Sequence, residues 1–241
     1  MLGTAILKSA FSACKRAHST AQSTFVKILA VSDQVVERVY SLASNGHFSD
    51  IGLILGCGDL PYAYLEFLVT VLNVPMFYVP GNHDPDFNPA DTRTKAEGGS
   101  NLDLKTVCHH GILIGGFGGS VRYRPDGTNQ YSPQEAYARA FRMIPRLLLN
   151  RLRYGRALDI LISHSPPSGI HDDTDQPHHG LSAINWLIRF ARPVIHMHGH
   201  THFYRGNISV SETHTGRTNI INVYPYKVID YPPVTIKKAG K

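Results

Sequence analysis

Residues 194–203 read "VIHMHGHTHF". Four histidines alternate here, at positions 196, 198, 200 and 202. In an uninterrupted strand all four would face one side. Gly199 breaks the run, and glycine suits the sharp turn a chain makes on leaving a strand. The stretch therefore reads as a buried strand, Val194–Met197, followed by a rim that carries His200 and His202. His196 and His198 fall before the turn. His196 reads as structural, and His198 as a partner that orients a neighbouring ligand.

Four other apolar runs end in the same manner. "KILAVSD" ends on Asp33, "IGLILGCGD" on Asp59, "MFYVPGNHD" on Asn82, His83 and Asp84, and "LDILISH" on His164. Ligands of open α/β sheets bind beyond the carboxyl ends of the strands. Five strand ends thus deliver carboxylates, an amide and imidazoles to one rim. Such oxygen and nitrogen donors suit Mn, Fe, Zn or Ni rather than thiolate-bound copper. Gly58, Gly81 and Gly199 each stand directly before a candidate ligand.

The rest of the chain supports an α/β reading. Further strands are expected at Phe25–Val31, Ile51–Leu55, Met76–Val79, Gly111–Gly115 and Leu158–Ile162, and near Asn207–Val210 and Thr218–Tyr224. Helices are expected at Tyr62–Leu72, Pro133–Arg153 and Leu181–Arg192, with Pro145 kinking the second or starting a new one. The chain has 241 residues, 42% hydrophobic and 17% charged, which is enough for one globular domain with its own core. That domain is placed at residues 25–233, with a basic tail at 234–241. Residues 1–24 hold no acid and set Leu2, Ile6, Ala10, Ala13 and Cys14 against Lys8, Ser12 and Lys15 on a helical wheel. They read as a frayed extension, a processed leader, or a docking or membrane-surface helix. No apolar run is long enough to span a bilayer. Cys14, Cys57 and Cys108 are far apart, which argues against a disulfide framework and for a reducing, cytoplasmic setting. The net charge of +6 is too small to name nucleic acid as a partner.

The order D…GD…GNHD…H…GHTH resembles the calcineurin-like metallophosphoesterase family over residues 25 to about 224. The resemblance implies a single-domain, four-layer α/β/β/α sandwich and hydrolysis of phosphate esters, as a phosphatase or phosphodiesterase acting on a small phosphorylated substrate. It implies two divalent metal ions. Asp33 and His202 would hold the first, Asn82, His164 and His200 the second, and Asp59 would bridge them. A hydroxide held between the ions would attack phosphorus. His83 would protonate the leaving oxygen, oriented by Asp84.

One motif departs from the family. Where the pattern has D-x-H, this chain has Asp33-Gln34-Val35, and valine cannot ligate. The first site then keeps Asp33, Asp59 and His202, and its metal is expected to bind less firmly. The loop "SPPSGIHDDTDQPHHG" after His164 holds His171, Asp172, Asp173, Asp175, His178 and His179. It is expected to border the cleft, with His171 and His179 as substrate contacts, or to lend a replacement ligand. Arg122 and Arg124 are further candidates for phosphate contacts. Arg139, Arg142, Arg146 and Arg153 share one helical stripe, read as a solvated face or a binding surface. Two other functions stay open: a metal-binding interaction scaffold with weak or no catalysis, as in the retromer subunit of this fold, and, ranked last, a nuclease.

Overall fold

The computed structural model describes residues 25–86, 88, 90–202 and 210–232. The extension at 1–24, the tail at 234–241 and nearly all of the strand expected near Asn207–Val210 lie outside these.

Two sheets form the centre. In the first, β1 (Val26–Val31), β2 (Ile51–Gly56), β3 (Met76–Tyr78) and β4 (Gly99–Asn101) run parallel, and β13 (Tyr226–Tyr231) pairs antiparallel on β1. In the second, β6 (Ile112–Phe117), β9 (Ile160–Ser163), β10 (Ile195–His198) and β12 (Thr218–Asn222) run parallel. Its edges are the antiparallel β5 (Thr106–His109) and β11 (Glu212–Thr215). A short ribbon joins β7 (Ser120–Val121) to β8 (Gln130–Tyr131).

The sheets stack through Ile28, Ala30, Leu53 and Leu55 of one and Ile114, Ile160, Ile162 and Met197 of the other. The alternate residues of β1 and β2, Leu29, Val31 and Ile54, pack outward on α1 (Glu37–Ser44) and α2 (Tyr62–Leu72) through Val39, Leu65 and Leu68. On the far side Leu161 and Ile220 pack on α3 (Pro133–Arg142), α4 (Ile144–Tyr154) and α5 (Ser182–Ala191) through Ala136, Leu147 and Leu187. The result is four layers, α/β/β/α. Strands covered on both faces cannot alternate apolar with polar, which is why the central ones read as continuous apolar runs. Each aliphatic side chain so buried contributes roughly 1.5–3 kcal/mol.

The helix expected over Pro133–Arg153 is two helices. Ser132 caps α3 in a capping box with Glu135. Pro145 sits in the first turn of α4, where its missing N–H costs no helical bond. The eight-residue α1 and the edge strands β4, β5, β11 and β13 were not expected from the sequence. β13, "YKVIDY", is only partly covered and carries Lys227 and Asp230, so its apolar signal is diluted. Cys57 is a buried free thiol, whereas Cys108 is disulfide-bonded, a bond that the wide spacing of the three cysteines did not suggest.

Candidate metal centre

Both sheets end on the same rim. Asp33 follows β1, Asp59 follows β2, Asn82 follows β3, His164 follows β9 and His200 follows β10. Asp33, Asp59 and His200 all have positive φ, at 64°, 55° and 68°. Non-glycine residues hold that conformation only where the surroundings enforce it, and such strain gathers at functional sites.

One ligand atom from each of Asp33, Asp59, His164 and His200 lies within 4.8 Å of the others, a group that can hold a metal ion. Asn82 Oδ1 is 3.0 Å from His164 Nε2, and His202 Nε2 is 3.6 Å from Asp33 Oδ1. Four of the six sequence-predicted ligands thus form the group, Asn82 touches it through His164, and His202 lies at its edge beside Asp33. The backbone leaves little slack around them. A Cβ added at Gly81 would lie 2.0 Å from Asp59 Oδ1, and one at Gly199 would lie 1.8 Å from Ser32 Oγ.

The hydrogen bonds decide which atoms face inward. His164 Nδ1 donates to the Cys57 carbonyl, 2.9 Å away, so its Nε2 carries the lone pair. That Nε2 meets Asn82 Oδ1 at 3.0 Å and Asp59 Oδ2 at 3.2 Å. Three acceptors thus converge with no donor of their own, and a proton or a cation must lie among them. As a free imidazole, His164 takes the proton. Burial opposes its charge, but the Asp59 carboxylate outweighs burial and raises the pKa to about 9. Burial likewise opposes the Asp59 carboxylate, yet the charge on His164 holds that carboxyl well below its usual range. A divalent cation satisfies the same three atoms, so the residues fit a metal.

His200 Nε2 donates to the Pro177 carbonyl at 2.7 Å, which frees Nδ1 to ligate. Burial lowers its pKa to about 3, so it stays neutral, the form a ligand needs. Asp33 Oδ2 accepts from the Ser32 hydroxyl and from the His200 N–H, leaving Oδ1 for the site. Asp59 Oδ1 accepts from the His83 N–H at 2.8 Å. His202 stacks on Tyr224, whose hydroxyl donates to Gln34.

Other expectations fare differently. His83 is exposed at the rim, but Asp84 does not orient its ring. Asp84 Oδ2 accepts from the backbone N–H groups of Asp59 and Gly81, so this carboxylate shapes the turn beneath the site. Burial raises the Asp84 pKa to about 6. Val35 packs on the core beneath α1 and α2. Arg122 is paired to Glu135 at 2.8 Å, and Arg124 lies over the Tyr123 ring. The tyrosine between them reaches the site instead, accepting from Asn82 Nδ2 at 3.2 Å. His171 spends both ring nitrogens on His198 and Thr213, and His179 bonds the Thr174 carbonyl. The loop histidine beside the centre is His178, whose ring lies 5.2 Å from that of His200. His196 pairs with Ser163, in keeping with a structural role. Arg139 leaves the arginine stripe: it grips Asp103 with two bonds and covers the Tyr131 ring.

The profile of the calcineurin-like phosphoesterases matches residues 23–204. The chain belongs to that family. Solved structures repeat its fold. One aligns at TM-score 0.59 and 15% identity, covering 86% of this chain and 99% of its own. TT1561 of Thermus thermophilus aligns at 0.56 and 16% identity, with the same coverage. No curated protein matches the chain. Among its described residues no helix is long and apolar enough to cross a membrane.

Proposed function

We propose that the protein hydrolyses small phosphate esters with two divalent metal ions. The observation that carries this reading is the meeting of Asp59 Oδ2, His164 Nε2 and Asn82 Oδ1 around a place only a cation or a proton can fill. Asn82, His164 and His200 would hold one ion, Asp33 and His202 the other, with Asp59 shared. Bound ions supply Lewis-acid stabilisation of phosphoryl charge and acidify water to a pKa of roughly 7. The chain contributes the remaining work. His83, open at the rim, would hold a proton at a ring nitrogen for the departing oxygen. Tyr123 fixes the Asn82 amide so that its oxygen points into the cluster. The Pro177–His200 bond draws the loop 165–180 against the centre, where it forms a wall of the substrate cleft.

The test is metal analysis of the purified protein alongside turnover of p-nitrophenyl phosphate and bis-p-nitrophenyl phosphate. Two equivalents of metal, and activity lost on chelation and regained with Mn²⁺, are expected. Full activity after exhaustive chelation refutes the reading. Two bound metals without turnover of either ester, or of a panel of natural phosphoesters, would favour the scaffold alternative.

A further inference from the structure

At the opposite end of the sandwich a cleft of about 520 Å³ is lined by Arg151, Arg156, Arg189, Arg192 and Arg217, with Phe190 as its apolar wall. It opens where β9, β10 and β12 begin, whereas the metal ligands follow the ends of β9 and β10. The four residues of β10 alone separate the two places by about 13 Å.

The charge in this cleft is not balanced from within. Arg156 forks onto Asp159, and Arg151 lies over the Phe190 ring and donates to the Phe190 carbonyl. Arg189, Arg192 and Arg217 are exposed and form no ion pair among the described residues. The segments outside the description contain no Asp or Glu, so no acidic side chain there can join them. The C-terminal ends of α4 and α5 converge at the cleft, at Gly155 and Arg192. Each helix end contributes about half a negative charge. Five guanidinium groups, less Asp159 and two helix ends, leave about +3.

We infer that this cleft binds a soluble ligand carrying an oligophosphate group, at a site separate from the metal centre. Planar guanidinium forks match phosphate oxygens in pairs, and several linked phosphates supply the missing charge within one small volume. Phe190 also links the cleft to a reporter. The chain's single tryptophan, Trp186, stacks on it at 5.0 Å and 12°.

Inorganic tripolyphosphate is the probe. It is titrated into the full chain in EDTA, by calorimetry and Trp186 fluorescence, with sulfate as the charge control. The expected result is saturable one-to-one binding, with a fluorescence change and little competition from sulfate. Affinity falls at least tenfold in Arg189→Gln/Arg217→Gln and measurably in Arg217→Gln alone, with melting temperatures unchanged. Asp33→Asn, in the metal cluster, binds as the parent does. Binding lost in Asp33→Asn, retained in the double variant, or matched by sulfate overturns the inference. So does retention on single-stranded RNA without tripolyphosphate binding. None of these outcomes depends on whether the metal centre is catalytic.

Discussion

Gly199→Ala adds one methyl group at the most crowded point of the candidate metal centre. The new Cβ would stand 1.8 Å from Ser32 Oγ, 2.3 Å from Asp33 Oδ2 and 2.6 Å from Ser32 Cβ. Gly199 does not have a positive φ, so the backbone conformation itself suits alanine and the effect is steric. Ordinary contact begins at 3.4 Å, so the Ser32 hydroxyl must move by about 1.6 Å. Asp33 must move with it, because its Oδ2 is held by Ser32 and by the His200 N–H. Metal-ligand distances tolerate only about 0.2 Å. Overpacking of this kind costs about 1–3 kcal/mol of stability, and disturbing the groups that orient ligands weakens metal binding roughly 10–100-fold. The assay is Mn²⁺ titration of chelator-stripped protein by calorimetry, with thermal unfolding in parallel. Gly52→Ala on β2 is the control, since its Cβ would meet nothing closer than 3.5 Å. Parental affinity and stoichiometry in Gly199→Ala would refute the reasoning.

Three other outcomes are expected. His83→Ala should keep its metal and lose roughly 10²–10⁴-fold in turnover, less for esters with good leaving groups; a metal-depleted variant would contradict the role. Asp59→Asn should cost more activity than Asp33→Asn, because Asp59 is proposed to touch both ions, and equal small losses would speak against a bridge. Burial, with a smaller push from His171, lowers the His196 pKa to about 3, so the folded protein refuses a proton that the unfolded chain takes up below pH 6.5. Stability should therefore fall as the pH drops from about 6.5 toward 3, by up to about 1.4 kcal/mol per pH unit from this group. Urea midpoints at pH 7 and pH 5 should show the parent losing about 2 kcal/mol more than His196→Phe; equal losses would place the acid sensitivity elsewhere.

The strands that build the site were legible because two covered faces force unbroken apolar runs, each closed by a polar motif. The donors were legible because five of those runs close on Asp, Asn or His in a fixed order. The supports were not. The Cys57 carbonyl that sets the His164 tautomer and the Pro177 carbonyl on His200 are backbone atoms, which no side-chain pattern reports. Arg139 fits the helical stripe by spacing alone, and Asp103, 36 positions away in the chain, draws it out of that role. Arg122 was read toward the substrate and Asp84 toward the His83 ring, but nearby partners claim them: Glu135 in one case, two backbone amides in the other. Tyr224 reaches His202 from a strand end 22 residues beyond it, a pairing that only the fold creates.

The bond from His200 to the Pro177 carbonyl ties a proposed ligand to a loop. Two equilibria then share one imidazole. If the loop lifts away, Nε2 loses its acceptor, the proton is no longer pinned there, and Nδ1 is a less committed ligand. Thermodynamic reciprocity demands the converse: a cation held by Nδ1 makes the loop harder to lift, by the same factor. If His200 ligates as proposed, loop mobility and metal retention are coupled, and a substitution chosen to alter one will register in the other.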